Sequence, residues 1–75
     1  MEADKTLDTK GLSCPMPVVK TKKAMETMNP GEVLKVEATD KGSKPDIAAF
    51  ANRTGNELLE MKEEGSTFIF FLRKK

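Results

Sequence analysis

The sequence has no histidine, tryptophan or tyrosine, and it has a single cysteine among its 75 residues. The lack of histidine removes the usual general base for a cysteine nucleophile, which argues against a self-sufficient hydrolase. The one cysteine, Cys14, can form neither an internal disulfide nor a Cys-x-x-Cys dithiol, and no zinc site of the Cys/His type can be assembled. We therefore expect neither a metal nor a resident cofactor.

A strong net charge and a long apolar run are also missing. Thirteen basic and twelve acidic residues leave a net charge of +1, which argues against a nucleic-acid binder that relies on counterion release. The longest apolar run, Phe68 to Leu72, is too short to cross a bilayer, and residues 1–10 lack the apolar segment of a signal peptide. A lone thiol is typical of a reducing compartment. We expect one domain over residues 1–75, monomeric and cytoplasmic, with no membrane or direct nucleic-acid partner.

Cys14 is the residue best placed for chemistry. It lies in the run GLSCPMP, from Gly11 to Pro17, where the first predicted strand turns into a helix. If Pro15 takes the first helical position, Cys14 is the N-cap; a start with Ser13 as the cap, or a later start at Pro17, fits as well. The alternative is structural, because free cysteines are often buried and pack as small hydrophobes.

The position of Cys14 also predicts its acidity. Unpaired N–H groups and the positive end of the helix dipole both lower the pKa of a thiol at a helix N-terminus. Proline carries no N–H, so only Met16 among the three residues after Cys14 can donate a hydrogen bond. We predict a modestly activated thiol, held by a stiff backbone.

Apolar spacing predicts six elements in the order β-α-β-α-β-β. The predicted segments are strands 5–9, 32–39, 57–62 and 67–72, a first helix from Pro15 or Pro17 to Met28, and a second helix that follows residues 43–46 and stops at Gly55. The right-handed crossover rule places both helices on the same side of the sheet. The predicted fold class is therefore α+β: a two-layer α/β sandwich with a mixed four-stranded sheet, two helices on one face, and Cys14 exposed at one rim.

Two groups of basic residues have both a functional and a plain interpretation. Lys20, Lys22 and Lys23 follow the cysteine motif and could help to dock an acidic partner. Arg73, Lys74 and Lys75 close the chain. Both groups also fit ordinary solvated faces and a frayed terminus, which we favour.

Asp46 and Phe71 are further candidates. Asp46 could be a catalytic acid, but a capping box over residues 43–46 accounts for it more simply. Phe71 would lie on the uncovered face of the sheet, where it could mark a partner surface. We favour a lone exposed apolar residue, which needs no partner.

The remaining chemistry is that of a small, rigid domain that carries a group on its one sulfur. A persulfide fits, because a thiolate attacks an activated sulfur on a donor protein and the terminal sulfur is then passed to an acceptor. Two other hypotheses stay open. One is a non-enzymatic regulatory module that binds a protein or RNA through Phe71 or the basic helix, with Cys14 dispensable. The other is a peroxide-sensing thiol, although the chain has no resolving cysteine.

The sequence resembles the TusA/SirA family of sulfur-carrier proteins, whose hallmark is Cys-Pro-x-Pro at the start of the first helix. The resemblance extends from Leu7 to Leu72 and depends on GLSCPMP at 11–17, NPGE at 29–32, and the segment from Thr39 to Ile47. It implies a two-layer fold like that of the C-terminal domain of bacterial translation initiation factor three. It also implies a persulfide on Cys14, received from a cysteine desulfurase or rhodanese-type donor and passed to an acceptor protein.

The resemblance also implies roles for neighbouring positions. Gly11, Pro15 and Pro17 would form the framework around the motif cysteine. Asp40 and Asp46 are positions shared with the family, and we interpret them as turn and cap residues.

Two departures bear on the pathway, which differs among members: tRNA thiolation, sulfur oxidation or molybdenum-enzyme maturation. The tRNA-thiolation members typically have Arg just before the cysteine and Glu between the prolines, where this sequence has Ser13 and Met16. Charge beside the sulfur is therefore missing. We expect a sulfurtransferase-type carrier that works with partner enzymes, and we do not assign it to tRNA thiolation.

Overall fold

The computed structural model describes residues 2–75 and contains the six elements in the predicted order. They are β1 (Lys5–Thr9), α1 (Met16–Glu26), β2 (Val33–Ala38), α2 (Ser43–Thr54), β3 (Glu57–Glu64) and β4 (Thr67–Arg73). The boundaries differ from prediction mainly in α1, which ends before Met28, in α2, which begins at Ser43 rather than after residue 46, and in β3, which continues through Glu64. Within residues 2–75, neither helix is long and apolar enough to span a membrane.

The sheet is mixed, with strand order β1-β2-β4-β3. Strand β1 pairs in parallel with β2, while β2 and β3 both pair antiparallel with β4. Strands β2 and β3 are therefore parallel to each other, so each helix connects two parallel strands. Both helices consequently begin at the same edge of the sheet, where β1 and β2 end. This topology decides which side chains can meet Cys14.

The core lies between the helices and one face of the two central strands. In the register of β2 and β4, Leu34 is opposite Leu72 and Val36 is opposite Phe70, and all four side chains are fully buried. Each helix contributes residues at the spacing expected for one buried face. These buried residues are Pro17, Thr21, Ala24 and Met25 in α1, and Ser43, Ile47, Phe50 and Ala51 in α2. The predicted two-layer α+β fold is confirmed.

Glycines end α2 and turn the β3–β4 hairpin. Gly55 has φ of 79°, and its N–H donates to the Ala51 carbonyl, as expected for a left-handed residue that closes a helix. Gly65 has φ of 62°, and Glu64 pairs directly with Thr67. The connection is thus a two-residue turn over 65–66, tighter than the four-residue connection predicted from the sequence.

The outer face of the sheet differs from prediction at Phe71. Ile69 and Phe71 are only 6% and 4% exposed. Their neighbours on the adjacent strands are all charged: Lys35, Glu37, Glu60 and Lys62. The Lys62 ammonium lies 5.9 Å from the centre of the Phe71 ring. Long charged side chains cover apolar surface with their aliphatic stems, so Phe71 is not an exposed residue, and the interaction module loses its sheet-face anchor.

The end of the chain is held in place, which corrects the prediction of a frayed terminus. The Lys74 N–H donates to the Glu32 carbonyl at 2.8 Å, and the Gly31 N–H donates to the Lys74 carbonyl at 2.9 Å. The Lys75 N–H donates to the Asn56 side-chain oxygen at 2.8 Å. These bonds attach the last residues to the loop after α1 and to the residue that precedes β3.

Candidate functional site

The cysteine motif is positioned by a tight turn after β1. The Leu12 N–H donates to the Thr9 carbonyl at 3.1 Å, and Gly11 takes a left-handed φ of 84°, which favours glycine at this place in the turn. The Gly11 N–H donates to the Thr39 hydroxyl at 2.9 Å. The end of β1 is thereby attached to the residue that follows β2, and the motif is aimed at the start of α2.

Helix α1 starts later than the leading interpretation of the sequence. Pro15 occupies the cap position, Met16 is the first helical residue, and the Cys14–Pro15 peptide bond is cis. The Met16 N–H, which we expected to be free for the sulfur, donates to the Ser13 carbonyl at 2.9 Å. Because prolines have no N–H, none of the three residues after Cys14 offers its sulfur a backbone donor.

Cys14 is exposed, and its side chain contacts the first turn of α2. Its Sγ–H donates to Asp46 Oδ2 across 2.9 Å. The interpretation of Asp46 as a capping residue is therefore wrong. Ser43 is already helical, no side chain among the described residues caps α2, and the Ser43 hydroxyl donates instead to the Asp40 carbonyl.

This contact reverses the predicted acidity of the thiol. The hydrogen bond to Asp46 raises the pKa of the Cys14 thiol, and desolvation and the negative charges of Asp46 and Asp40 raise it further. A neighbouring anion disfavours the thiolate, and α1 offers no free donor at residues 15–17 to offset that effect. The isolated protein thus has a less acidic thiol than the position at a helix N-terminus predicts.

Asp40 adds a second carboxyl group to the same corner. It lies in the turn that enters α2, where the Ser43 N–H donates to its carbonyl at 3.0 Å. A β-carbon built on Gly42 would be 3.0 Å from Asp40 Oδ2 and 3.8 Å from Asp46 Oδ2. The two carboxyl groups therefore converge on one side of the turn. Asp40 Oδ2 is buried and has no hydrogen-bond partner within residues 2–75.

A groove of about 240 Å³ opens beside the sulfur between the two helices. Its walls are apolar at Pro15, Val18 and Ala49, and charged at Asp46 and Arg53. Asp46 and Arg53 are seven residues apart on α2, so a negative charge lies beside the thiol and a positive charge lies roughly 10 Å further along the helix. The groove leaves the Cys14 side of the helix pair open to solvent.

The structure places the predicted site residues in two different regions. Pro15 lies with Cys14 in its groove, Gly11 supports the preceding turn, and Pro17 is on the buried face of the first turn of α1. Lys20, Lys22 and Lys23 are exposed, but none lines the Cys14 groove. A second groove, also of about 240 Å³, contains Lys22 together with Glu26, Lys74 and Lys75. Two basic groups that are distant in sequence thus meet away from the sulfur.

Sequence reasoning missed the partner of the thiol, although a signal for it was available. Two consecutive βαβ units place both helix starts at one edge of the sheet. Asp46, in the first turn of α2, is then expected to lie near Cys14, which precedes the first turn of α1. The roles of Thr39 as a support for Gly11, and of Asp40 as a second carboxyl group, have no comparable signal in the local sequence.

Comparisons with known proteins agree with the motif and the fold. The family described as sulfurtransferase TusA matches residues 5–74. The chain is 50% identical to the YrkI protein of Bacillus subtilis over 74 residues, which is 99% of each chain. It is 52% identical over 71 residues to the sulfur carrier protein TusA of Allochromatium vinosum, covering 95% of this chain and 93% of that protein.

The fold matches a crystal structure from the same group of proteins. The SirA-like protein of Desulfitobacterium hafniense superposes with a TM-score of 0.80 at 25% identity, over 92% of this chain and 95% of that one. The family match covers nearly all of the chain, including the cysteine motif at residues 11–17. The resemblance inferred from that motif is confirmed, and the chain belongs to the TusA family.

Proposed function

We propose that this protein is a sulfur carrier that holds a sulfane sulfur as a persulfide on Cys14 and passes it between partner proteins. The observation that carries the proposal is the placement of the single thiol: it is exposed, on a stiff turn, at one end of an open groove. The names of relatives such as the Allochromatium vinosum protein support the carrier role. The protein acts with partner enzymes rather than as a self-sufficient catalyst.

The loading reaction needs only a donor persulfide. The Cys14 sulfur bonds to the terminal sulfur of the donor, the sulfur–sulfur bond of the donor breaks, and the donor cysteine leaves as a thiolate. The proton lost from the Cys14 thiol ends on that leaving thiolate. The sum of oxidation states is unchanged, so no external oxidant or reductant is required, and delivery to an acceptor repeats the exchange.

The framework residues serve this exchange by fixing where the sulfur is presented. Gly11 makes the turn, Pro15 restrains the backbone beside Cys14, and Pro17 anchors the helix start in the core. A donor of the cysteine desulfurase or rhodanese type would supply the persulfide. Exposed Lys20, Lys22 and Lys23 would help to dock an acidic partner surface. These roles belong to one carrier domain acting in the cytoplasm.

The residues beside the sulfur indicate what kind of acceptor the carrier serves. Ser13 and Met16 leave the motif without the flanking charges typical of tRNA-thiolation members. Met16 is 41% exposed, so the motif presents an apolar side chain to solvent, and the charge beside the thiol comes from Asp46 of α2. We infer an acceptor that is a protein with an apolar contact surface.

Loading on Cys14 is tested by incubating the protein with a cysteine desulfurase and cysteine and measuring its intact mass. We expect one added sulfur on the wild type, none on Cys14→Ser, and normal loading of Ser13→Ala, which changes the adjacent exposed side chain. Absence of loading from several desulfurases and rhodaneses would contradict the carrier role. If Cys14→Ser retained every partner and every cellular role, the protein would instead be an interaction module.

A further inference from the structure

The contact between Cys14 and Asp46 joins two elements that are 32 residues apart in sequence. Asp46 lies on the first turn of α2, where the helix dipole favours a negative charge. The Asp46 N–H donates to the Gly42 carbonyl at 3.2 Å, so the backbone of Asp46 is fixed within the helix. The carboxylate that meets the exposed sulfur therefore projects from a helix and not from a loop.

The charges that face the sulfur are mostly negative. Asp46 contacts it directly, Asp40 acts through space from the turn before α2, and both raise the pKa of the thiol. The remaining charged wall of the groove is Arg53, two turns further along α2. The three lysines on α1 that follow the motif do not line this groove. The acids therefore dominate at the sulfur itself.

We propose that Asp46 is a positioning residue that holds the unloaded Cys14 as a protonated thiol, so that loading depends on a donor that neutralises or displaces the Asp46 carboxylate. This inference rests on the carrier function proposed above and deepens it. The partner chemistry that fits is a cationic side chain placed at the Asp46 end of the groove. When that cation pairs with Asp46, the sulfur loses its acceptor and the thiolate becomes accessible.

Such a contact gives an exposed carrier thiol a specific advantage. The thiolate, rather than the thiol, is the form that attacks disulfides and is oxidised to sulfenic acid. A thiol kept protonated between transfers reacts slowly with adventitious oxidants, although it is open to solvent. The donor then supplies both the sulfur and the charge that releases the Cys14 sulfur for attack.

The test is the pH dependence of thiol–disulfide exchange with 4,4′-dithiodipyridine, a small reagent that cannot neutralise Asp46. The protein variants are Asp46→Asn, Asp40→Asn, Asp46→Glu and Glu26→Gln. Glu26 is the matched control, because its loss removes the same charge at the far end of α1, in the second groove. Folding of each variant is checked by its urea midpoint.

We expect the exchange profile of Asp46→Asn to move to lower pH. Its rate at neutral pH rises by about threefold to fourfold for each unit by which the pKa falls, because the tenfold gain in thiolate is partly offset by lower nucleophilicity. For the same reason its plateau at high pH lies below that of the wild type. Asp40→Asn shifts less, Asp46→Glu stays near the wild type, and Glu26→Gln does not shift.

Two results would overturn the proposal: an Asp46→Asn profile that coincides with the wild type, or one that moves to higher pH. Unfolding would also separate Cys14 from Asp46, so each profile is measured on a variant that its urea midpoint shows to be folded. This experiment uses no sulfur donor. Failure of the carrier function would appear in the loading experiment alone, and failure of the Asp46 proposal would appear in the exchange profile alone.

Discussion

The two ends of the helix pair are built differently, although both lie on the same sheet. At the end where the helices begin, Cys14, which precedes α1, donates a hydrogen bond to Asp46 of α2. At the end where they finish, Phe50 and Met25 are 3% and 1% exposed, and the Lys75 N–H is bonded to Asn56. The two ends therefore have different roles: the closing end holds the last residues of the chain, and the starting end presents the thiol and its acidic partner.

The largest effect on stability is expected at the closing end, from Phe50→Ala. Removal of a buried phenylalanine side chain costs about 3 to 5 kcal/mol, a large part of the total for a small domain. The measurement is the free energy of unfolding in urea. The matched variant is Val18→Ala at the starting end, where loss of a half-buried side chain costs about 1 kcal/mol.

If Phe50→Ala does not fold, Phe50→Leu supplies the comparison with a smaller volume change. Equal costs for the variants at Phe50 and Val18 would contradict the expectation that the more deeply buried side chain contributes more to stability.

A smaller effect is expected from Gly55→Ala at the end of α2. The φ of 79° is strained for a residue with a β-carbon, and the new atom would lie 3.0 Å from the Lys75 side chain. We expect a loss of about 1 to 2 kcal/mol, read from the urea midpoint. Gly55→Asn should lose less, because asparagine tolerates the left-handed region. Equal losses would indicate that the contact with Lys75, rather than backbone strain, sets the cost.

The smallest effect on stability is expected from Cys14→Ser, the variant with the largest expected effect on loading. The side chain is exposed, and serine can still donate to Asp46. We expect a urea midpoint that is unchanged within the error of the measurement. A clear loss of stability would identify Cys14 as a packing residue and remove the separation between the two ends.

Most of the fold could be predicted from the sequence because its local signals agree with one another. The alternation in β2 and β4 and the helical spacing around Phe50 indicate the same core, and Gly55 and the NPG segment stop the helices where the topology needs them. The outer sheet face was not predictable in this way. A pattern of apolar and charged residues does not tell whether Lys62 extends into solvent or lies over Phe71.

The sequence predicts the functional residue, Cys14, but not the residues that surround its sulfur. Cys14 is the one cysteine of the chain, and the two prolines that follow it mark it as a candidate without reference to any other segment. Its acidity depends on Asp46, which belongs to a different element and also fits a local capping pattern. The local pattern favours a capping role for Asp46, so the sequence predicts an activated thiol. The structure instead places the thiol against an acid.

The most direct test of the central claim is peptide mass spectrometry of the wild-type protein after loading by a cysteine desulfurase and alkylation of all thiols. The account predicts one extra sulfur on the peptide that contains Cys14, and its loss after treatment with dithiothreitol. The account is contradicted if the Cys14 peptide is unmodified although the donor is fully persulfidated and forms a complex with the carrier.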